Sequence, residues 1–258
     1  MIKKIVLPFK FYSDNKITKT KDSTAELFFD EHFEEIRQRV FQSLFCIVFI
    51  ILLVFINIKP IVQIIEAPVI FVKFFQSSPG EYFLCTLKIS FYAGLLFSIP
   101  ILLSQVIFFL APGLTEKEKI VIVGLLLASA ILLIFGLNFS YFVLIPAALS
   151  FFINYSSDII EPLWSFDEYF SFTLVLFLST GIIFQIPILQ IFLSFSKIIS
   201  GKKMLQLWKY VLLFSTILGA ILTPSADPLT QLLLSSAIFV LYLVGSFCAS
   251  FLSKYILV

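Results

Sequence analysis

Apolar residues fill six long stretches of this chain, near residues 40–58, 83–110, 120–145, 169–195, 207–222 and 229–252, and polar residues collect between them. The first, from Val40 to Ile58, carries no charge and just crosses a hydrocarbon layer about 30 Å thick as a helix. The second holds Pro100 and the fourth holds Gln185 and Pro187 in its middle. Each proline removes one backbone hydrogen bond and is expected to kink its helix. The fifth stretch falls short of the roughly 20 residues a full crossing needs, and it ends at Thr223-Pro224-Ser225-Ala226-Asp227-Pro228. The hairpin of the fifth and sixth spans is therefore expected to stop short of the far surface. The pattern predicts an all-α membrane protein with six transmembrane helices.

Between the spans the signals are those of caps and turns. Residues 1–22 are polar and basic and read as a flexible tail, leaving 23–258 as the six-span membrane domain. Ser23 to Glu26, Thr115 to Glu118 and Ser165 to Glu168 each have capping-box spacing, a hydroxyl followed three residues on by a carboxylate. Leu27, Phe28, Phe33, Ile36 and Val40 suit a helix lying along the membrane surface before it turns into span one. Ala111-Pro112-Gly113 ends span two. The loop at 59–82 is too apolar for a loose linker and is expected to pack at the interface. Two similar pieces, Ile99 to Leu102 and Ile186 to Leu189, echo each other, and two kinked helices account for that as well as a duplication does.

Composition agrees with a membrane protein. Mean hydropathy is +1.05, and only 13% of residues are charged, far below the roughly 25% of soluble domains. The distribution of charge says more than its net value. Of 18 basic residues, 15 flank the even-numbered side of the spans: Lys3, Lys4, Lys10, Lys16, Lys19, Lys21, Arg37, Arg39, Lys117, Lys119, Lys197, Lys202, Lys203, Lys209 and Lys254. Lys59 and Lys73 lie opposite, Lys88 sits inside span two, and the loop at 146–168 holds Asp158, Glu161, Asp167 and Glu168 with no base. Positive loops stay on the side of synthesis, so both termini are expected inside. Bases scattered over short loops do not make a nucleic-acid stripe.

Enzyme signals are missing. His32 is the single histidine, so a two-histidine zinc motif is impossible, and no catalytic set, metal site or cofactor is expected. Cys46, Cys85 and Cys248 show no paired spacing and suit small buried hydrophobes. The notable polar groups are few. Glu35 and Arg39, four apart, suit helix-surface pairing, and Glu118 suits the cap just described. Both carboxylates also stand at the inner mouth, where they suit a guanidinium. Gln185, at membrane depth, suits either an interhelical hydrogen bond or a functional contact. Asp227, in the outer turn, suits a cap for the helix that starts near Pro228 as well as it suits a functional group. Lys88 is expected to snorkel outward.

Taken in order, several segments resemble one family. His32-Phe33-Glu34-Glu35-Ile36-Arg37-Gln38-Arg39 is similar to the His-Leu-x-Glu-Leu-Arg-x-Arg signature of the TatC proteins. Pro100 to Gln105, then Phe109 to Pro112, Leu114 and Glu118, resemble its second-span and first-inner-loop motif. Phe139-Ser140-Tyr141-Phe142 with Pro146, Phe184-Gln185-Ile186-Pro187, and Leu222-Thr223-Pro224 with Asp227 and Gln231 resemble its third, fourth and last segments.

The resemblance implies a cupped bundle with short spans five and six, acting as the receptor core of the twin-arginine translocase, which moves folded proteins using the proton-motive force. It implies that Glu35 and Glu118 bind the twin arginines of signal peptides, with His32, Arg37 and Arg39 as supporting inner-face motif. It implies docking of single-span TatA/TatB-type partners, for which Gln185 is the candidate group on the concave side, and self-association in a receptor complex within the lipid bilayer. Pro100, Pro112, Pro187, Pro224 and Asp227 become its kinks and turns. Many bacterial relatives carry glutamate where this chain has Gln185, so docking survives there better than proton transfer. The 33 phenylalanines and many isoleucines and lysines point to an AT-rich genome. A plastid thylakoid membrane is expected, with a mitochondrial or bacterial inner membrane as the alternative. A small proton- or ion-coupled transporter is the alternative function; it wants charged groups buried in facing spans, and beyond Lys88 these carry almost none.

Overall fold

The computed structural model describes residues 21–69, 73–110, 116–156, 163–224 and 227–256. The tail before residue 21, Pro112, the Thr115 cap, Asp158 and Glu161 lie outside the described residues, as do the side chains of His32 and Glu118.

Helix α1, Lys21–Ile56, is one uninterrupted rod. The expected turn between a surface helix and span one is absent from it, because no glycine or proline falls anywhere in that stretch to break the hydrogen-bond ladder. Ser23 and Glu26 fall within this helix, and the side chains of their expected capping box lie outside the described residues. Three further elements occupy the loop that follows: α2, Ile58–Glu66, which buries Val62 and Ile65, a 3-10 turn at Ala67–Val69, and strand β1, Lys73–Phe75. The loop packs, as its apolar content suggested.

Helix α3, Glu81–Leu110, contains Pro100. Helices α4, Glu116–Phe139, and α5, Ile145–Ser156, are joined through a π-turn at Ser140–Leu144. Ile145 donates its N–H to the Ser140 carbonyl across five residues. Pro146, next in line, has no N–H for the regular ladder, and the wider turn absorbs that gap. Strand β2, Leu163–Ser165, leads into α6, Phe166–Ile183, and pairs in parallel with β1, with Phe74 opposite Trp164. This small sheet was not expected. Three-residue strands some ninety positions apart leave no alternation long enough to read.

The fourth span breaks at Phe184 and Gln185, where α6 gives way to α7, Ile186–Phe195. Pro187 sits in the first turn of α7, the one place in a helix where a missing N–H costs nothing. Short α8, Gly201–Gln206, then α9, Trp208–Leu222, and α10, Pro228–Ile256, complete the chain. Of the two spans expected to be short, only α9 is, at 15 residues; α10 runs for 29. No proline follows Pro228, and Gly245 alone does not stop a helix, so α10 continues past the apolar stretch.

Among the described residues, five segments are long and apolar enough to cross a membrane: Phe33–Ile56, Glu81–Phe109, Val123–Tyr155, Phe166–Phe195 and Pro228–Leu252. The core gathers along the fourth span, α6 and α7. One cluster joins Ile65, Cys85, Ile89 and Phe170; a second joins Ile107, Ile188, Phe192 and Ala249; a third joins Leu144, Ile183, Leu234 and Ile238.

Candidate functional site

The first site lies where α1 passes the end of α3. Gly94 lets the two helices meet at van der Waals distance: a Cβ there would stand 2.3 Å from Ile51 Cγ1 and 2.8 Å from its Cα. Toward the N-terminal part of α1, Arg39 donates from Nε (3.1 Å) and Nη2 (2.7 Å) to Oε1 of Glu35, and Nη2 also reaches the Phe108 carbonyl on α3 at 3.3 Å. Both carboxylate bonds fall on Oε1, so Oε2 is left out of the pair. The two side chains are 31% and 26% exposed, Glu35 the more so. Glu34 and Arg37 form a second, exposed pair three residues apart.

Alongside runs a groove of about 300 Å³ lined by Ile36, Arg39, Val40, Ser43, Leu102 and Gln105 among others. A carboxylate that already holds a guanidinium thus stands at the mouth of an apolar trough. Glu118 lies in the first turn of α4, and α4 starts six positions after α3 ends, so its backbone belongs to this same end of the bundle. His32 lies in α1 one turn before Glu35 and Ile36.

At the opposite end of α3 the structure reveals a joint that the sequence reading missed. Glu81, buried in the first turn of α3, accepts the backbone N–H groups of Ser77 and Ser78 with Oε2. Its other oxygen accepts the Ser165 hydroxyl (3.1 Å) and the Asp167 N–H (3.1 Å) at the start of α6. One carboxylate therefore caps two helices. The expected Ser165 box is corrected accordingly: Ser165 sits at the N-cap with φ −66° and ψ 132° but makes no side-chain cap bond. Its hydroxyl turns to Glu81, because an ionised carboxylate is the stronger acceptor for the free N–H groups of α6.

Next to it, Lys88 donates to Asp167 at 2.7 and 2.8 Å and to Ser171 at 2.8 Å. Lys88 does not snorkel; a carboxylate on the neighbouring helix satisfies it at shorter reach. Ser78-Pro79-Gly80-Glu81 has the capping-box spacing, so the α3 half of this joint, though not its reach to α6, was signalled in the sequence.

In the interior, Gln185 is 3% exposed. Ser129 Oγ donates to its Oε1 at 2.8 Å, and its Nε2 donates to the Ser129 carbonyl at 3.3 Å. The sequence places this amide on the concave surface; the structure turns it inward against α4. The break at Phe184 rotates the chain there, and burial then demands a partner for the amide. A second buried amide, Gln190, donates to Ser246 on α10 at 2.9 Å. It nests over Gly245, where a Cβ would lie 2.0 Å from Gln190 Oε1. Asp227, also buried, accepts the Thr230 N–H at 2.8 Å, which places it as the cap of α10. Pro224 stays exposed in the turn before it, behind Thr223, whose hydroxyl donates to the Gly219 carbonyl.

No group of three or more His, Cys, Asp and Glu side chains suited to a metal gathers among the described residues. Cys46, Cys85 and Cys248 are free thiols.

Against this geometry the comparisons are consistent with one another. Residues 31–236 match the family model described as Sec-independent protein translocase protein (TatC). An uncharacterized tatC-like protein, ycf43, of Trieres chinensis is 58% identical over 233 residues, covering 90% of this chain and 89% of that one. A chloroplastic Sec-independent protein translocase protein TATC of Pisum sativum is 47% identical, covering 84% of this chain and 62% of that protein. A crystal structure of a twin arginine translocase receptor, TatC, superimposes with a TM-score of 0.74 at 30% identity, over 85% of this chain and 98% of that one. The chain belongs to the TatC family of Sec-independent protein translocase proteins, which are transport components and not enzymes.

Proposed function

We propose that this protein is the receptor core of a twin-arginine translocase, binding the paired arginines of signal peptides at Glu35 and Glu118. It is a multi-pass membrane protein of the plastid thylakoid. The observation that carries the proposal is the Glu35–Arg39 pair beside the α1–α3 groove. A partly exposed ion pair four residues apart on a helix contributes only about 0.3–0.5 kcal/mol, so a peptide guanidinium displaces Arg39 at little cost. The apolar trough next to it then receives the apolar stretch that follows the arginines. Arg39 lines that mouth, and Arg37 and His32 lie on the same helix as its supporting motif.

In this account both termini face the stroma, the Glu81 joint faces the lumen, and the proton-motive force drives transport. Single-span TatA/TatB-type partners pack beside the break in span four, where Ile182 and Leu189 are exposed. Gln185 fixes the shape of that break from inside. Further copies of this chain complete the receptor complex. The test is affinity for a twin-arginine peptide in Glu35→Gln and Glu118→Gln. A charge-assisted bond contributes about 1.5–3 kcal/mol, and subtracting the Arg39 pair leaves a loss of about 5- to 70-fold for Glu35→Gln. Wild-type affinity in both variants refutes the assignment.

A further inference from the structure

The described cations fall into two groups. Arg37, Arg39 and Lys88 each hold a carboxylate. Lys197, Lys202, Lys203 and Lys209, around α8, are all exposed, and none forms an ion pair among the described residues. Lys59, alone on α2, shares this state but has no basic neighbour. No acidic residue occurs between Glu168 and Asp227, so this part of the chain has no anion of its own to offer.

The four lysines are presented by a rigid support. Gly201 and Met204 are buried against α10, so tightly that a Cβ on Gly201 would stand 2.4 Å from the Ser250 nitrogen. Tyr242 donates its hydroxyl to the Met204 carbonyl at 3.0 Å. With that face of α8 pinned, Lys202 and Lys203 point away from the bundle. Lys197 sits just before α8 in the left-handed backbone region, at φ 57°, and Lys209 lies 5.8 Å above the Trp208 ring. Interleaved with these bases are exposed Ile198, Ile199, Trp208 and Tyr210.

We propose that residues 197–210 bind the anionic headgroup of a membrane lipid. An acidic protein would satisfy the lysines but leave the isoleucines and Trp208 in water. A lipid satisfies both, because its anion lies at the depth of the ammonium groups and its acyl chains meet the apolar side chains. Each lysine near such a surface contributes roughly a fivefold gain in headgroup affinity, screened as ionic strength rises.

The test is native mass spectrometry of the whole protein released from phosphatidylcholine nanodiscs doped with phosphatidylglycerol. The wild type retains phosphatidylglycerol in preference to phosphatidylcholine. Changing all four lysines to glutamine lowers that preference at least tenfold, and changing all four to arginine preserves it. If the fourfold glutamine variant does not assemble, K202Q/K203Q gives a smaller loss in the same direction. Unchanged preference in the glutamine variants overturns the proposal. Displacement of the lipid by inorganic phosphate, or by an acidic peptide at equal charge, also overturns it, since the site would then recognise an anion without its acyl chains. No signal peptide enters this experiment, so its failure leaves the translocase reading standing, and the converse holds too.

Discussion

Replacing Gln185 separates a packing role from a docking role. The amide exchanges two hydrogen bonds with Ser129, at 2.8 and 3.3 Å, and both residues are buried. Interhelical side-chain bonds in membranes average about 0.6 kcal/mol and reach about 1.7. Leucine fills nearly the same volume, so Gln185→Leu loses the bonds without opening a cavity. Part of the loss is recovered, because Ser129 can turn to its own helix as Ser98 turns to the Leu95 carbonyl. A cost of about 1–2 kcal/mol follows for leucine. Gln185→Ala loses the same bonds and leaves a void, and large-to-small changes in a core cost about 2–5 kcal/mol, so alanine is the worse variant. Equilibrium unfolding in mixed detergent micelles, followed by tryptophan fluorescence, measures both. Cysteine crosslinking from position 182 to a single-span partner is expected to be unchanged in the leucine variant. If leucine leaves stability at the wild-type value while crosslinking disappears, the amide faces the partner and the burial argument is wrong.

Three further outcomes are expected. Gly94→Val forces α1 off α3, since even a Cβ lies 2.8 Å from the Ile51 backbone; it costs about 1–3 kcal/mol and loosens protease protection of α1, which limited proteolysis detects. Asp167→Asn leaves Lys88 with a neutral acceptor; because both groups are about a third exposed, the loss is about 1 kcal/mol, well under that of a fully buried pair, in the same unfolding assay. A cysteine at Tyr155, which is exposed at the end of α5, is expected to react with an impermeant thiol reagent only from the lumenal side, and labelling only from the stroma overturns the orientation.

Five of the six expected spans coincide with helices long and apolar enough to cross a membrane, because each shows as a long apolar run in the sequence; the fifth stretch forms only the shorter α9. The break at Gln185 and Pro187 was legible too, since proline forbids a regular ladder at one known offset. Contacts between distant segments were not. Glu81 capping α6, Lys88 meeting Asp167, and β1 pairing with β2 all depend on how two loops fold over each other, and neither loop carries a period that says so. The inward turn of Gln185 was hidden for a related reason: near a helix break the facing direction changes by an amount that the sequence does not state. At the inner site the local pair of Glu35 with Arg39 follows from i,i+4 spacing, whereas the tether from Arg39 to Phe108 and the groove beside it needed α3 in place.

The most direct test of the receptor assignment compares two peptides on the intact protein in lipid nanodiscs. One carries adjacent arginines before an apolar stretch; the other has two lysines in their place. A planar guanidinium takes a carboxylate through two parallel bonds and an ammonium does not, so the arginine peptide is expected to bind at least tenfold more tightly. Equal affinity for the two peptides would contradict the account, because a groove that holds only the apolar stretch has no means of telling them apart.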